Sequence, residues 1–262
     1  MPRFLYKAVK YDGEKPKALL DEDRKIGAMG LSLKPESVRV TPVEEVFAGG
    51  GGPARVPEGF TPLFDGKDLA GWHVSQVNHH GNSRGWSVKD GVLLATQDRP
   101  GNGGILLTDR KYGDFEVSLE IKPDWGCDGG LFLRSNEKGQ AYQVMIDYLE
   151  GGSVGGIYGE GLEGLDPEHP DGRENPEWRK AWREGEWNTL RARIEGAVPH
   201  IQVWLNDQKL VDWTDSANHA AGGATEGMIA LQMHFSNATT PRWRPGGYHR
   251  FRNIAIREIG RP

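Results

Sequence analysis

Two adjacent stretches, Leu131-Phe132-Leu133-Arg134 and Tyr142-Gln143-Val144-Met145-Ile146-Asp147, alternate in a way that decides the fold class. Successive side chains of a strand point to opposite faces of a sheet, so the stretches predict two neighbouring β-strands. One face carries Leu131, Leu133, Tyr142, Val144 and Ile146, and the other carries Phe132, Arg134, Gln143, Met145 and Asp147. The polar face is either the floor of a binding groove or a solvated outer surface with an ordinary Arg–Asp pair.

The same alternation recurs through the rest of the chain. In Phe115-Glu-Val-Ser-Leu-Glu-Ile121 the odd positions are apolar, which is typical of a strand with one dry face. The 37 glycines and 16 prolines indicate many turns between short strands. We therefore predict an all-β antiparallel sandwich. Its strands are expected at 86–88, 92–96, 104–107, 115–122, 131–134, 142–147, 189–195, 200–206, 209–213, 228–235 and 251–258, with a hairpin at 201–213.

The chain divides into three parts by composition. Residues 1–46 have a small β-α-β pattern of unknown role, and residues 47–58 contain the glycine run of a flexible linker. Residues 59–262 form the predicted sandwich. Within it, 153–186 is rich in Gly, Pro and charge, and we expect a long loop covering the sheet, with a short helix around Trp178 and Trp182.

Charge and composition limit the classes of partner that the chain is expected to bind. A net charge of −5 with no basic stripe counts against nucleic acid, and no stretch is long and apolar enough for a transmembrane helix. A single cysteine, Cys127, excludes an internal disulfide. The first residues lack the apolar segment of a signal peptide, which predicts a cytoplasmic chain as written. Localisation and oligomeric state stay open.

Between Gly59 and Glu258 the chain contains a series of short sequence blocks. The blocks are Phe60-Thr-Pro-Leu-Phe-Asp-Gly-Lys-Asp-Leu-Ala-Gly-Trp72, Trp86-Ser-Val-Lys-Asp-Gly-Val-Leu93, Tyr112-Gly-Asp-Phe-Glu116, Gly129-Gly-Leu-Phe-Leu-Arg134, Gly156-Ile-Tyr158, Trp187-Asn188, Trp204-Leu-Asn206, Gly227-Met-Ile-Ala-Leu-Gln232 and Phe251-Arg-Asn-Ile-Ala-Ile256. In this order the blocks resemble the 3-keto-disaccharide hydrolase family, whose members are often exported. The resemblance implies a concanavalin-like jelly roll that cleaves 3-keto-glycosides. Cys127-Asp128-Gly129-Gly130 departs from the family's usual Asn-Ser-Gly at that point.

The implied chemistry follows from the ketone at C3. The ketone acidifies the hydrogen at C2, so a base can remove it and the aglycone at C1 can leave by β-elimination, with or without re-addition of water. Such a reaction needs a general base near C2 and a donor or electrophile at the developing enolate.

Candidate catalytic residues are those that can move protons or hold an oxyanion. They are His234, Asp147, Arg134, His79 and His80. Candidate substrate-binding residues are Gln143, Tyr158, Gln232, Asp128 and Trp125, and His249 is a weaker candidate.

A bound ion and a non-enzymatic function are the open alternatives. The cofactor is unknown, and a divalent metal ion held by His79, Asp128, Asp147 or His234 is one option, although the chain has no local zinc motif. The expected ligand is a small carbohydrate or glycoside. The alternative function is that of a lectin-like, non-catalytic carbohydrate-binding module. The fold alone does not distinguish an enzyme from such a module.

Overall fold

The structure, a computed structural model, describes residues 56–148, 152–165 and 173–260. The predicted β-α-β segment at 1–46 and most of the linker at 47–58 lie outside the described residues. The strands are β1 Thr61–Pro62, β2 Trp72–Val74, β3 Trp86–Lys89, β4 Val92–Ala95, β5 Gly104–Tyr112, β6 Phe115–Ile121, β7 Gly129–Ser135, β8 Ala141–Ile146, β9 Val154–Glu160, β10 Asn188–Glu195, β11 His200–Leu205, β12 Gln208–Thr214, β13 Gly227–Met233 and β14 His249–Glu258. A short helix, α1, spans Trp178–Ala181.

The strands form two antiparallel sheets. One has eight strands in the order β12-β11-β10-β6-β14-β4-β3, with β1 paired to β14, and the other has six in the order β2-β5-β13-β7-β8-β9. This confirms the all-β, jelly-roll β-sandwich. None of the helices in the described ranges is long and apolar enough to cross a membrane.

The core lies between the inner faces of the two sheets. Phe115, Val117 and Leu119 of β6 meet Leu131 and Leu133 of β7 in one buried cluster. Tyr142, Val144 and Ile146 join the same cluster from β8, which confirms the inward face predicted from alternation. The burial of these side chains is the main favourable term in folding.

The opposite face of the six-stranded sheet has two regions. Phe132 belongs to a small apolar cluster with Ile105, Leu107, Ala141, Met228 and Ala230. Gln143, Met145 and Asp147 instead line a pocket. The outer face is therefore apolar on one side and polar on the other, and the polar part positions the candidate site.

The predicted hairpin and helix are confirmed, whereas the prediction of a long loop at 153–186 is partly wrong. β11 pairs with β12 through Asn206 and Asp207, both with positive φ of 48° and 68°, as a tight hairpin turn requires. Residues 154–160 form β9, the edge strand beside β8. The glycines at 155, 156 and 159 hide its alternation from sequence reasoning.

Arg134 does not share the face of Phe132, which corrects the prediction from alternation. The pairing register shifts between β13 and β7 beside Arg134, and Arg134 itself has a φ of 53°. A bulge of this kind adds a residue to one strand and redirects the side chain. The side chain of Arg134 is consequently buried at the end of the sandwich.

Candidate active site

A pocket of about 300 Å³ opens on the outer face of the six-stranded sheet. Strand β8 and the residue after it supply Gln143, Met145 and Asp147, because strand alternation turns these three away from the core. Strand β9 supplies Tyr158 and Glu160. The walls come from three irregular segments, which contribute His79, His80, Asp128, His234, Phe235, Thr240 and Arg242.

Two amide side chains form a hydrogen-bonded row beneath the pocket. Gln143 Nε2 donates to Gln232 Oε1 at 3.0 Å and lies 3.3 Å from the carbonyl oxygen of Gly129. Gln232, fully buried, places its own amide nitrogen 2.9 Å from His80 Nε2. The row needs glycine at 130, because a Cβ there would lie 2.5 Å from Gln143 Nε2. Gln143 and Gln232 are thereby fixed in orientation.

His234 presents one free ring nitrogen to the pocket. Its Nδ1 lies 2.6 Å from the carbonyl oxygen of Phe235, so Nδ1 carries the proton and Nε2 carries the lone pair. Nε2 lies 4.0 Å from Asp128 Oδ2. Burial lowers the pKa of His234 to about 4. The ring is therefore neutral near pH 7, with a nitrogen able to accept a proton.

Two carboxyl groups and one guanidinium lie together in the pocket. Arg242 Nη1 donates to Asp147 Oδ2 at 2.8 Å, and Arg242 Nε lies 3.9 Å from Asp128 Oδ2. Burial, and then the charge of Asp147, raise the pKa of Asp128 well above its ordinary value. Asp128 can thus hold a proton for donation, while Asp147 is paired with Arg242.

A second group of side chains lines the pocket beside His234. His79 Nε2 and His80 Nε2 lie 3.2 and 3.5 Å from the same oxygen, Glu160 Oε1. Burial raises the pKa of Glu160, but its interactions with the imidazoles outweigh burial and hold the pKa below its ordinary value. Burial and His80 lower the pKa of His79. The rings of His80 and His234 contact each other edge to face, with centroids 4.8 Å apart.

The structure brings most of the predicted site residues together in or directly beneath the pocket, where Gln232 lies, and leaves three elsewhere. Arg134 donates to the carbonyl oxygens of Gly113 and Gly196 and to Asp114, so the Arg–Asp pair that was one of the two interpretations of this face does not involve Arg134. Arg242 donates to Asp147 instead.

The other two residues outside the pocket are Trp125 and His249. Trp125 is 53% exposed and packs edge to face on Tyr148, and it is not among the pocket residues. His249 is buried, with its Nε2 3.1 Å from the carbonyl oxygen of Cys127.

Sequence reasoning missed Glu160 and Arg242. Glu160 ends the strand that was interpreted as loop, and its signal was the spacing of Ile157 and Tyr158, one inward and one outward. Arg242 lies in an irregular segment after β13, where no periodicity predicts which way a side chain points.

Comparison with known proteins identifies the relatives of this site. The sequence model of a family described as the 3-keto-alpha-glucoside-1,2-lyase-like domain matches residues 59–257. The chain belongs to this family. All the pocket residues lie within the span that matches the 3-keto-alpha-glucoside-1,2-lyase-like domain.

A named relative and two solved structures are similar to the chain. A 3-keto-disaccharide hydrolase of Bacteroides thetaiotaomicron is 24% identical over 252 residues, covering 77% of this chain and 79% of the relative.

A crystal structure of a candidate glycosyl hydrolase from Parabacteroides distasonis has a TM-score of 0.50 at 23% identity, covering 76% of this chain and 99% of that one. A second from the same organism has a TM-score of 0.49 at 19% identity, covering 77% and 94%. The similarity to the first of these structures supports the fold of the domain and nothing about its function.

Proposed function

We propose that this protein is a carbohydrate-active enzyme that cleaves the glycosidic bond of 3-keto-glycosides by removing the proton at C2. The single observation that carries the proposal is the position of His234 Nε2, an unprotonated ring nitrogen in a polar pocket. This nitrogen lies 4.0 Å from Asp128 Oδ2, which belongs to the carboxyl group that we assign as proton donor. Family membership supports the substrate class, because a relative is named a 3-keto-disaccharide hydrolase.

The proposed reaction assigns a proton to each step. His234 Nε2 takes the C2 proton, and the electrons of that C–H bond form the C2–C3 double bond of an enolate with its negative charge on O3. The enolate collapses to the ketone as the C1–O bond breaks, which forms a C1–C2 double bond and releases the aglycone. The protonated Asp128 supplies a proton to the departing oxygen. Re-addition of water, with OH at C1 and H at C2, completes a net hydrolysis.

The remaining pocket residues hold the sugar in the proposed complex. Tyr158 and Gln143 offer hydrogen bonds to its hydroxyls, and Gln143 is oriented for this by Gln232. Arg242 donates to Asp147 Oδ2, and in the proposed complex Asp147 is a hydrogen-bond acceptor. The charge on Asp147 also favours a protonated Asp128. The two carboxyl groups thereby have different roles, donor and acceptor.

A pair of matched histidine variants tests the proposal. Both His234 and His219 have side chains that are 17% exposed, but His219 bonds to Asp215 outside the pocket. His234→Gln should lower the kcat for aglycone release from a 3-keto-glucoside about 100-fold or more, as loss of a general base does. His219→Gln should keep the wild-type kcat.

Two outcomes contradict the proposal. An equal loss of kcat in both variants would mean that His234 has a structural role. A wild-type protein that binds 3-keto-glucoside without releasing the aglycone would instead be a non-catalytic binding module, the alternative function.

A further inference from the structure

Three side chains of the pocket converge on a single point. His79 and His80 come from the segment between β2 and β3, and Glu160 ends the edge strand β9. Their nearest ring nitrogens and carboxylate oxygen all lie within 4.8 Å of one another. The two nitrogen-to-oxygen distances, 3.2 and 3.5 Å, are longer than the ~2.7–2.9 Å typical of a charge-assisted N–H···O bond.

The two distances from Glu160 to the imidazoles fit the edges of a metal coordination polyhedron. Imidazole nitrogen and carboxylate oxygen bind zinc at about 2.0–2.2 Å, so two such ligands around a tetrahedral ion lie about 3.3–3.6 Å apart. The observed separations from Glu160 to His79 and to His80 lie close to this range.

His80 has the tautomer that can bind a metal through Nε2. Gln143 donates to Gln232 Oε1, which turns the Gln232 amide nitrogen toward His80 Nε2 and leaves the lone pair of His80 on that atom. The proton then lies on Nδ1, which is buried without a hydrogen-bond partner. The side chain is 1% exposed, so the buried amides and not solvent set this tautomer.

We infer that His79, His80 and Glu160 bind one divalent transition-metal ion of the zinc class at the wall of the pocket. Two nitrogens and one carboxylate oxygen match catalytic zinc sites, which keep an open position for water or substrate. Calcium and magnesium take oxygen ligands and fit this set poorly. Binding takes the His80 lone pair from the Gln232 amide, and the metal bonds replace that hydrogen bond.

The role of the ion, unlike its binding, rests on the proposed function. An ion at this wall has an open position beside His234, whose ring contacts that of His80. A ketone oxygen at that position would be polarised as the C2 proton leaves, which stabilises the enolate. The ion would be the electrophile at the developing enolate, a role that the proposed function assigns to no side chain.

Metal binding is measured without substrate. Chelator-treated protein is titrated with Co²⁺, followed by visible absorption, and with Zn²⁺, followed by calorimetry. We expect one ion per chain. His79→Ala and Glu160→Gln should each weaken binding by at least about 10- to 100-fold, the loss seen when even an outer partner of a metal ligand is removed.

His73→Ala is the matched control. His73 is also held by two carboxylates, with its ring nitrogens 2.6 Å from Asp109 and 2.9 Å from Glu137, but it lies outside the pocket. This variant should bind the ion as the wild type does. If Glu160→Gln does not fold, by circular dichroism, the test rests on His79→Ala, whose side chain is 58% exposed.

The outcomes separate this inference from the proposed function. Wild-type affinity in both site variants, or no stoichiometric binding by the wild-type protein, overturns the metal site. One-to-one binding that is lost in the site variants, together with no cleavage of 3-keto-glycosides, supports the metal site and overturns the proposed function. Full cleavage of 3-keto-glycosides by wild-type protein that binds no ion would support the proposed function and overturn the metal site.

Discussion

Acidification should destabilise this protein through His249, a histidine that the structure makes part of the core. The ring is fully buried, lies over Trp243 with centroids 4.9 Å apart and contacts the carbonyl oxygen of Cys127. Burial lowers its pKa from 6.5 to about 4; Asp124 acts to raise the pKa and Arg250 to lower it further. The unfolded chain therefore binds a proton at this residue at a higher pH than the folded chain does.

The sign and size of the effect follow from linkage. The stabilisation is present above pH 6.5 and is lost as the pH falls from 6.5 toward about 4, because protons bind preferentially to the unfolded state. A pKa difference between 6.5 and about 4 amounts to roughly 3 kcal/mol when fully developed. Between about pH 7.5 and about pH 5.0 the part lost is roughly 2 kcal/mol.

The assay is urea unfolding of wild type and His249→Gln at both pH values. Other groups also titrate in this range, so the quantity compared is the loss of unfolding free energy on acidification. The loss should be smaller in His249→Gln by about 2 kcal/mol, whatever the variant costs at pH 7.5. His73→Gln is the control with the opposite sign: burial lowers the pKa of His73, but the hydrogen bonds of its ring to the carboxylates of Asp109 and Glu137 outweigh burial and raise the pKa. Equal losses in wild type and His249→Gln would refute the reasoning.

Three further substitutions separate structural from catalytic residues. Arg134→Met removes hydrogen bonds to Gly113, Gly196 and Asp114 and should cost about 2–4 kcal/mol in urea unfolding, with the kcat of the folded fraction unchanged; a kcat lost with stability intact would return Arg134 to the site. Gly130→Ala places a Cβ 2.5 Å from Gln143 Nε2 and should lower kcat/KM about 100-fold by displacing that side chain, whereas unchanged kinetics would show that the amide row positions nothing. Tyr142→Phe removes a 2.6 Å bond to the buried carboxylate of Asp215 and should lower the unfolding free energy by about 1.5–3 kcal/mol, and an unchanged urea midpoint would contradict this.

Strand alternation predicted the fold and one face of the site because it is a local property. Leu131 and Leu133 point into the core, and Gln143 and Asp147 point into the pocket, as their spacing requires. The prediction fails at Arg134, where one extra residue in β7 changes the side on which the side chain emerges. Bulges depend on pairing with a neighbouring strand, which a single strand's sequence does not specify.

The irregular segments carry the parts of the site that sequence could not assemble. His79 and His80 were candidates because two imidazoles in a loop can converge, but their partner, Glu160, lies eighty residues further along the chain. Arg242 likewise meets Asp147 across 95 positions. Such contacts depend on where loops cross the finished sheet, so residue chemistry could name candidates but could not pair them.

Loss of the C2 hydrogen during cleavage tests the central claim most directly. A 3-keto-glucoside carrying deuterium at C2 is incubated with the wild-type protein in ordinary water, and the released sugar is analysed by mass spectrometry beside a sample without protein. Our account predicts that the label disappears in step with aglycone release and that His234→Gln slows both together. Release of a sugar that retains its C2 deuterium, at the same rate as from the unlabelled 3-keto-glucoside, would contradict the account, because neither exchange nor an isotope effect would then indicate removal of the C2 proton.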